Sequence, residues 1–122
     1  MIFGIGTDLT EVEKIKKAVE NPRFLTRVFT DDEIKMFNIK RNNPQVIAGN
    51  FAVKESLAKA LGTGFRGFGP ADIEVLRDKL GKPYINLFNK AEQEVKNRNI
   101  QKIHVSISNT EQHAIAFVVC EI

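Results

Sequence analysis

The segment from Asn43 to Gly64 constrains this chain more than any other. Asn43-Pro44 has the form of a helix N-cap followed by proline at the first helical position, where a missing N–H costs nothing. Gly62 and Gly64 supply the stop, because glycine takes up the left-handed backbone that ends a helix. The spacing predicts a helix over residues 44–61, the longest element in the chain. At 100° per residue its apolar side chains, Val46, Ile47, Phe51, Val53, Leu57, Ala58 and Leu61, fall almost all the way round. A helix apolar on most faces has to be surrounded. Any charge it carries is informative, since an unpaired buried charge is costly.

What surrounds it reads as a mixture of short helices and strands. Residues 2–7 are mostly apolar and predict a buried strand. Thr10 and Glu13 have capping-box spacing ahead of Val12, Ile15 and Val19, so a helix follows, and Asn21-Pro22 ends it. A helical turn is expected over residues 23–28. Thr30 and Glu33 make a second capping box, opening a helix to about Ile39. Residues 72–76 and 83–87 read as strands joined by a turn at Asp78–Lys82, and Phe88, Ala91 and Val95 have helical spacing. Ile103, Val105 and Ile107 alternate with polar residues. Asn109–Gln112 is expected to turn, and residues 114–122 to return as a more fully buried strand. The pattern is α+β, a mainly antiparallel sheet packed on a long buried central helix, in one domain over residues 1–122.

Composition narrows the function less than the fold. The net charge of +3 is compatible with nucleic acid, an acidic protein or a phosphorylated small molecule. Nine of the ten aromatics are Phe at core-like spacings, unlike the exposed aromatics of a nucleic-acid surface. The one cysteine, Cys120, lies in an apolar run and reads as a buried, inert thiol. The N-terminus lacks a basic segment and a cleavage site, and the longest apolar stretch, Ala114 to Cys120, is too short for a bilayer. A cytoplasmic protein with no membrane partner is expected.

Several residues invite a chemical reading beside a structural one. Asp8 has capping-box spacing with Glu11, but Thr10 with Glu13 can do that work, which frees Asp8. Glu55 and Lys59 are an i,i+4 pair that on an ordinary helix would be an exposed ion pair worth about 0.3–0.5 kcal/mol. Here they flank Ala48 and Ala52, a low strip on a bulky cylinder, where a metal-and-phosphate site has room. Lys54 falls in the apolar stripe of Ile47, Phe51 and Ala58, and either snorkels or reaches a partner. Gly62-Thr63-Gly64-Phe65-Arg66-Gly67 matches G-x-G-x-x-G, but a helix precedes it and a strand follows, the reverse of a dinucleotide fingerprint. Exposed N–H groups in that turn remain able to contact phosphate. Gly81-Lys82-Pro83 is a hairpin turn with one basic side chain. His104, Ser106 and Ser108 share a strand face without the Asp of a triad, and two His with one Cys give no zinc spacing.

In combination, GIGTDLTEVEKI at 4–15, FAVKESLAKALGTG at 51–64, DIEVLRDKLGKPYI at 72–85 and HVSISNT at 104–110 resemble the holo-acyl-carrier-protein synthase family, the small type of 4′-phosphopantetheinyl transferase. The resemblance covers nearly the whole chain in order and spacing. It implies transfer of the 4′-phosphopantetheine arm of coenzyme A to a serine of apo-acyl carrier protein, releasing adenosine 3′,5′-bisphosphate, in support of fatty acid biosynthesis. It further implies that Asp8 and Glu55 bind Mg²⁺ and that Lys59 meets the diphosphate. Gly62, Thr63, Gly64, Lys82 and Pro83 would line the coenzyme A groove, between subunits of a homotrimer. Lys14, Lys16, Lys17, Arg23 and Arg27 would dock the acidic carrier.

The chain departs from the family pattern at three positions. Asn109 stands where many relatives have His, so no side chain there can act as base. Lys14 replaces a frequent Arg, weakening a bidentate contact to a point charge. Asn50 replaces a residue often basic, with a cost expected in coenzyme A or carrier affinity. Asn109 also keeps open a rival reading, a binding module of the same fold without turnover, which the retained Asp8, Glu55 and Lys59 argue against.

Overall fold

A computed structural model describes all of residues 1–122. The long helix, α4 (Pro44–Leu61), is the centre of the molecule, with Asn43 Oδ1 accepting from the Gln45 N–H (2.9 Å) and Gly62 at φ +79° closing its end. Before it come the strand β1 (Ile2–Glu11) and helices α1 (Val12–Ala18), α2 (Pro22–Val28) and α3 (Asp31–Ile39). After it come the hairpin of β2 (Ile73–Arg77) and β3 (Pro83–Leu87), helix α5 (Asn89–Asn97), and the hairpin of β4 (Lys102–Asn109) and β5 (His113–Glu121). The strands form two antiparallel sheets, one of order β1-β5-β4 and one of β2 with β3.

Helix α4 divides two apolar clusters. Val53, Leu57 and Leu61 pack with Ile73, Val75, Val118 and Cys120, while Ile47 and Ala48 join Val12, Ile15, Phe29, Phe37 and Ala114. Its small side chains face the three-stranded sheet. A Cβ added to Gly6 would stand 1.8 Å from the Ser56 carbonyl oxygen, and one on Gly4 would stand 2.1 Å from that of Ala60. Ala48 and Ala52 are wholly covered. The alanine strip is therefore the seam between helix and sheet, and not the open ligand surface expected from the helical wheel.

Strand β1 also differs from its expected length. Pairing with β5 continues through Thr10↔Ala114 and Glu11↔His113, so Thr10 is a buried strand residue and the Thr10–Glu13 capping box does not form. Backbone pairing satisfies more groups than one side-chain cap, and the cap gives way. The Val12 N–H donates to the Gln112 carbonyl instead (2.9 Å). By contrast, the Thr30–Glu33 box forms as expected, with the Glu33 N–H on Thr30 Oγ1 (3.2 Å) and the Thr30 N–H on Glu33 Oε1 (3.1 Å). At the tip of the β2–β3 hairpin Asp78 Oδ1 accepts from the N–H groups of Leu80 and Lys82, with Gly81 at φ +88°.

Strand β5 is buried on one face alone. Ala114, Ala116, Val118 and Cys120 point to α4, whereas Ile115 and Phe117 are 44 % and 45 % exposed. Register places Leu9 beside Ile115 and Ile5 beside Val119, so an apolar patch covers the outer face of the sheet. No helix is long and apolar enough to cross a membrane.

Candidate active site

Where β1 crosses the C-terminal half of α4, three charged side chains come together. Asp8 is a strand residue and its carboxylate is held by the Thr10 hydroxyl, which donates to Oδ2 (2.7 Å). Lys59 reaches across from α4 to the Thr7 carbonyl (3.0 Å) and to Asp8 Oδ1 (3.3 Å). The Asp8 carboxylate is 17 % exposed and the Lys59 side chain 56 %, so the group is open to a ligand from solution. Burial pushes the Glu55 carboxyl above its ordinary range, and the neighbouring Asp8 charge pushes it further against the opposing pull of Lys59. A cation bound beside Asp8 would relieve this pressure on the Glu55 carboxylate.

The donor set selects the kind of cation. No group of three or more His, Cys, Asp or Glu side chains is placed to hold a metal ion. Two carboxylates with open positions beside them suit Mg²⁺, which takes one or two protein carboxylates and completes its octahedron with phosphate oxygens and water.

Behind this edge lies a second, fully buried polar group. The Lys54 ammonium donates to Glu33 Oε1 (2.7 Å), to the Pro70 carbonyl (2.9 Å) and to the Ile73 carbonyl. Asn50 Nδ2 donates to Glu33 Oε2 (2.9 Å) and to the Val75 carbonyl (2.8 Å). Burial pushes Glu33 up and Lys54 down, and each is pulled back by the other's charge. Lys54 thus meets an internal partner and does not snorkel. Asn50 is wholly covered and faces the interior, away from any ligand arriving from solution.

The other residues singled out in the sequence lie around this edge and beyond it. Gly62, Thr63 and Gly64 leave the end of α4 directly after Lys59, with Gly62 and Gly64 in the left-handed region and the Gly64 N–H on the Ala58 carbonyl (3.2 Å). Lys82 and Pro83 sit on the separate β2–β3 hairpin. Lys14, Lys16 and Lys17 on α1 and Arg23 and Arg27 on α2 are exposed, with Lys14 near Glu11 and Lys16 near Glu13. Asn109 ends β4 and shares a shallow cavity of about 270 Å³ with Leu9, Ser108, Thr110, His113 and Ile115. His104 pairs with Glu121 and not with either serine. Sequence reasoning missed the bracing roles of Thr7 and Thr10. The alternation Gly4-Ile5-Gly6 opposite a small helix face was the available signal for close approach.

Residues 4–118 match the model of the 4′-phosphopantetheinyl transferase superfamily. The holo-[acyl-carrier-protein] synthase of Clostridium botulinum (strain Alaska E43) is 52 % identical over 123 residues, spanning 100 % of this chain and 99 % of the relative. This chain belongs to the holo-acyl-carrier-protein synthase family of phosphopantetheinyl transferases. Its fold is the family's. The crystal structure of the Neisseria meningitidis synthase superposes with a TM-score of 0.91 at 33 % identity, covering both chains completely. The Helicobacter pylori synthase in complex with coenzyme A gives 0.84 at 32 % identity, over 96 % of this chain and 99 % of that one.

Proposed function

We propose that this enzyme transfers 4′-phosphopantetheine from coenzyme A to a serine of an apo-acyl carrier protein, with Mg²⁺ held by Asp8 and Glu55. The observation that carries the reading is the meeting of Asp8, Glu55 and Lys59 at one open edge, from β1 and α4. In the reaction the serine oxygen bonds to the phosphorus nearer the pantetheine. The bond from that phosphorus to the bridging oxygen breaks, and adenosine 3′,5′-bisphosphate leaves with the bridging oxygen. The serine proton passes to water or a carboxylate, since Asn109 cannot take it.

When bound, Mg²⁺ supplies positive charge to the diphosphate oxygens as the leaving group departs. Asp8, fixed by Thr10, and Glu55, fixed on a buried helix, orient that charge. Lys59 adds a second, and its contact with the Thr7 carbonyl keeps it at the site. The Gly62 and Gly64 N–H groups are taken by the Lys59 and Ala58 carbonyls, which leaves the Thr63 N–H of this turn for the coenzyme, and Lys82 and Pro83 complete the coenzyme groove. The exposed bases Lys14, Lys16, Lys17, Arg23 and Arg27 receive the acidic carrier.

The chain acts as a single domain in the cytoplasm, in fatty acid biosynthesis, and assembles as a homotrimer with sites between subunits. The apolar outer face of Ile5, Leu9, Ile115 and Phe117 supports the assembly, because a patch of this kind marks an association surface. The function is tested by incubating the protein with an apo-carrier, coenzyme A and Mg²⁺ and weighing the carrier. The expected result is one phosphopantetheine adduct, absent when the carrier serine is replaced by Ala. No adduct on any of several carriers contradicts the reading.

A further inference from the structure

The glycine loop that leaves α4 is anchored at both ends by different means. At its entry the Gly62 N–H donates to the Lys59 carbonyl (3.0 Å) and the Gly64 N–H to the Ala58 carbonyl (3.2 Å), which ties residues 62–64 to the helix end. In its middle Phe65 and Phe68 meet edge to face, with ring centroids 5.8 Å apart, over the main core. At its exit the chain makes a 3₁₀ turn over Pro70–Asp72 before entering β2. The carbonyls of Pro70, which opens that turn, and of Ile73, which follows it, both accept from the Lys54 ammonium. Glu33 accepts from the ammonium's third N–H through Oε1 and is itself fixed by Thr30 and Asn50.

Fold stability alone is a weak account of this arrangement, because replacing a buried ion pair by well-packed apolar residues of similar volume is often neutral or stabilising. What the ammonium does that an apolar side chain cannot is hold two carbonyls at fixed directions from a rigid helix. Lys54 lies next to Glu55 on that helix and one turn before Ala58, where the loop's entry is bonded. Entry, exit and carboxylate are thus referred to one rigid body.

We infer that Lys54 is a positioning residue: its buried ammonium pins the exit of loop 62–69 and so sets the shape in which Gly62–Gly64 meet the coenzyme diphosphate. The inference rests on the reading of Gly62–Gly64 as part of the coenzyme A groove. Lys54 touches no reacting atom. Its loss therefore acts on coenzyme binding and leaves carrier docking, which lies on α1 and α2, unaffected.

The test is the double variant Glu33→Gln/Lys54→Met, which removes both charges at similar volume. Thermal unfolding is expected to stay cooperative. Hydrogen exchange of the amides of residues 62–69 rises, the KM for coenzyme A rises on the order of tenfold, and the KM for the carrier stays within about twofold. A folded variant with wild-type exchange and an unchanged coenzyme KM overturns the inference, as does an equal rise in both KM values. If the double variant does not fold, Lys54→Arg keeps the charge opposite Glu33 while its planar fork replaces the three donor directions of the ammonium, and the same readouts apply. Failure of the unaltered protein to transfer phosphopantetheine removes the coenzyme reading, and the exchange measurement then decides the pin by itself.

Discussion

Gly6 lies against the Ser56 carbonyl so closely that a Cβ on Gly6 would stand 1.8 Å from that oxygen. This contact sets how near β1 comes to α4, and β1 carries Asp8 while α4 carries Glu55 and Lys59. A bare strand backbone opposite a bare helix face is thus a condition of the active site as well as of packing.

Gly6→Ala is expected to destabilise the protein by at least about 1–3 kcal/mol, the usual cost of forcing extra volume into a packed seam. Transfer activity should fall further than the unfolded fraction explains, because separating strand from helix moves Asp8 away from Glu55. Denaturant unfolding and initial rates on the same sample check both. Wild-type stability would show that the seam yields.

The open face of β5 gives a prediction about assembly. Ile115→Asp with Phe117→Asp puts charge into the outer apolar patch without touching the face that packs on α4. Each chain should remain folded by circular dichroism while light scattering reports the mass of one chain and activity is lost. A variant that keeps the wild-type mass places the subunit interface elsewhere.

Cys120 is expected to be silent. Burial pushes its thiol from 9.0 up to about 11, so the reactive thiolate is scarce at neutral and mildly alkaline pH. The sign follows from linkage: the raised folded value contributes stability below 9.0 that is lost as pH climbs through about 11. A thiol reagent should therefore leave the native protein unmodified and label it once denatured. Rapid native labelling would contradict the burial of β5.

Glu55 gives the opposite kind of pH dependence, one of ligand binding. Its carboxyl is raised by burial and by Asp8, so a proton competes with the cation further up the pH scale than for a free carboxylate. Calorimetric Mg²⁺ affinity in the presence of coenzyme A should rise as pH increases from mildly acidic to neutral, with proton release. Glu55→Gln should abolish that rise. A pH-independent affinity in the unaltered protein would exclude Glu55 as a ligand.

How much of this was legible in the sequence varied with the range of the interactions involved. The long helix was readable from local signals, Asn43-Pro44 at one end and Gly62 at the other, as was the Thr30–Glu33 box three residues wide. Thr10 was misread for the same reason: its capping spacing with Glu13 is local, but pairing with Ala114 across the chain overrides it. The helical wheel showed that Ala48 and Ala52 make a low strip, yet a wheel cannot say whether a ligand or a strand covers it. Lys54 was undecidable because its partner Glu33 lies 21 residues away on another helix. Asp8 was nominated apart from the Glu55–Lys59 pair, and the seam at Gly6 explains why they meet.

The central claim is that Asp8 and Glu55 hold the metal for phosphopantetheine transfer, and intact-mass analysis of the carrier after reaction with Asp8→Ala and Glu55→Ala tests it most directly. The account predicts that both variants stay folded and lose transfer by at least about a hundredfold, the scale set by several kcal/mol of lost charge stabilisation. Near wild-type adduct formation by both variants would contradict it.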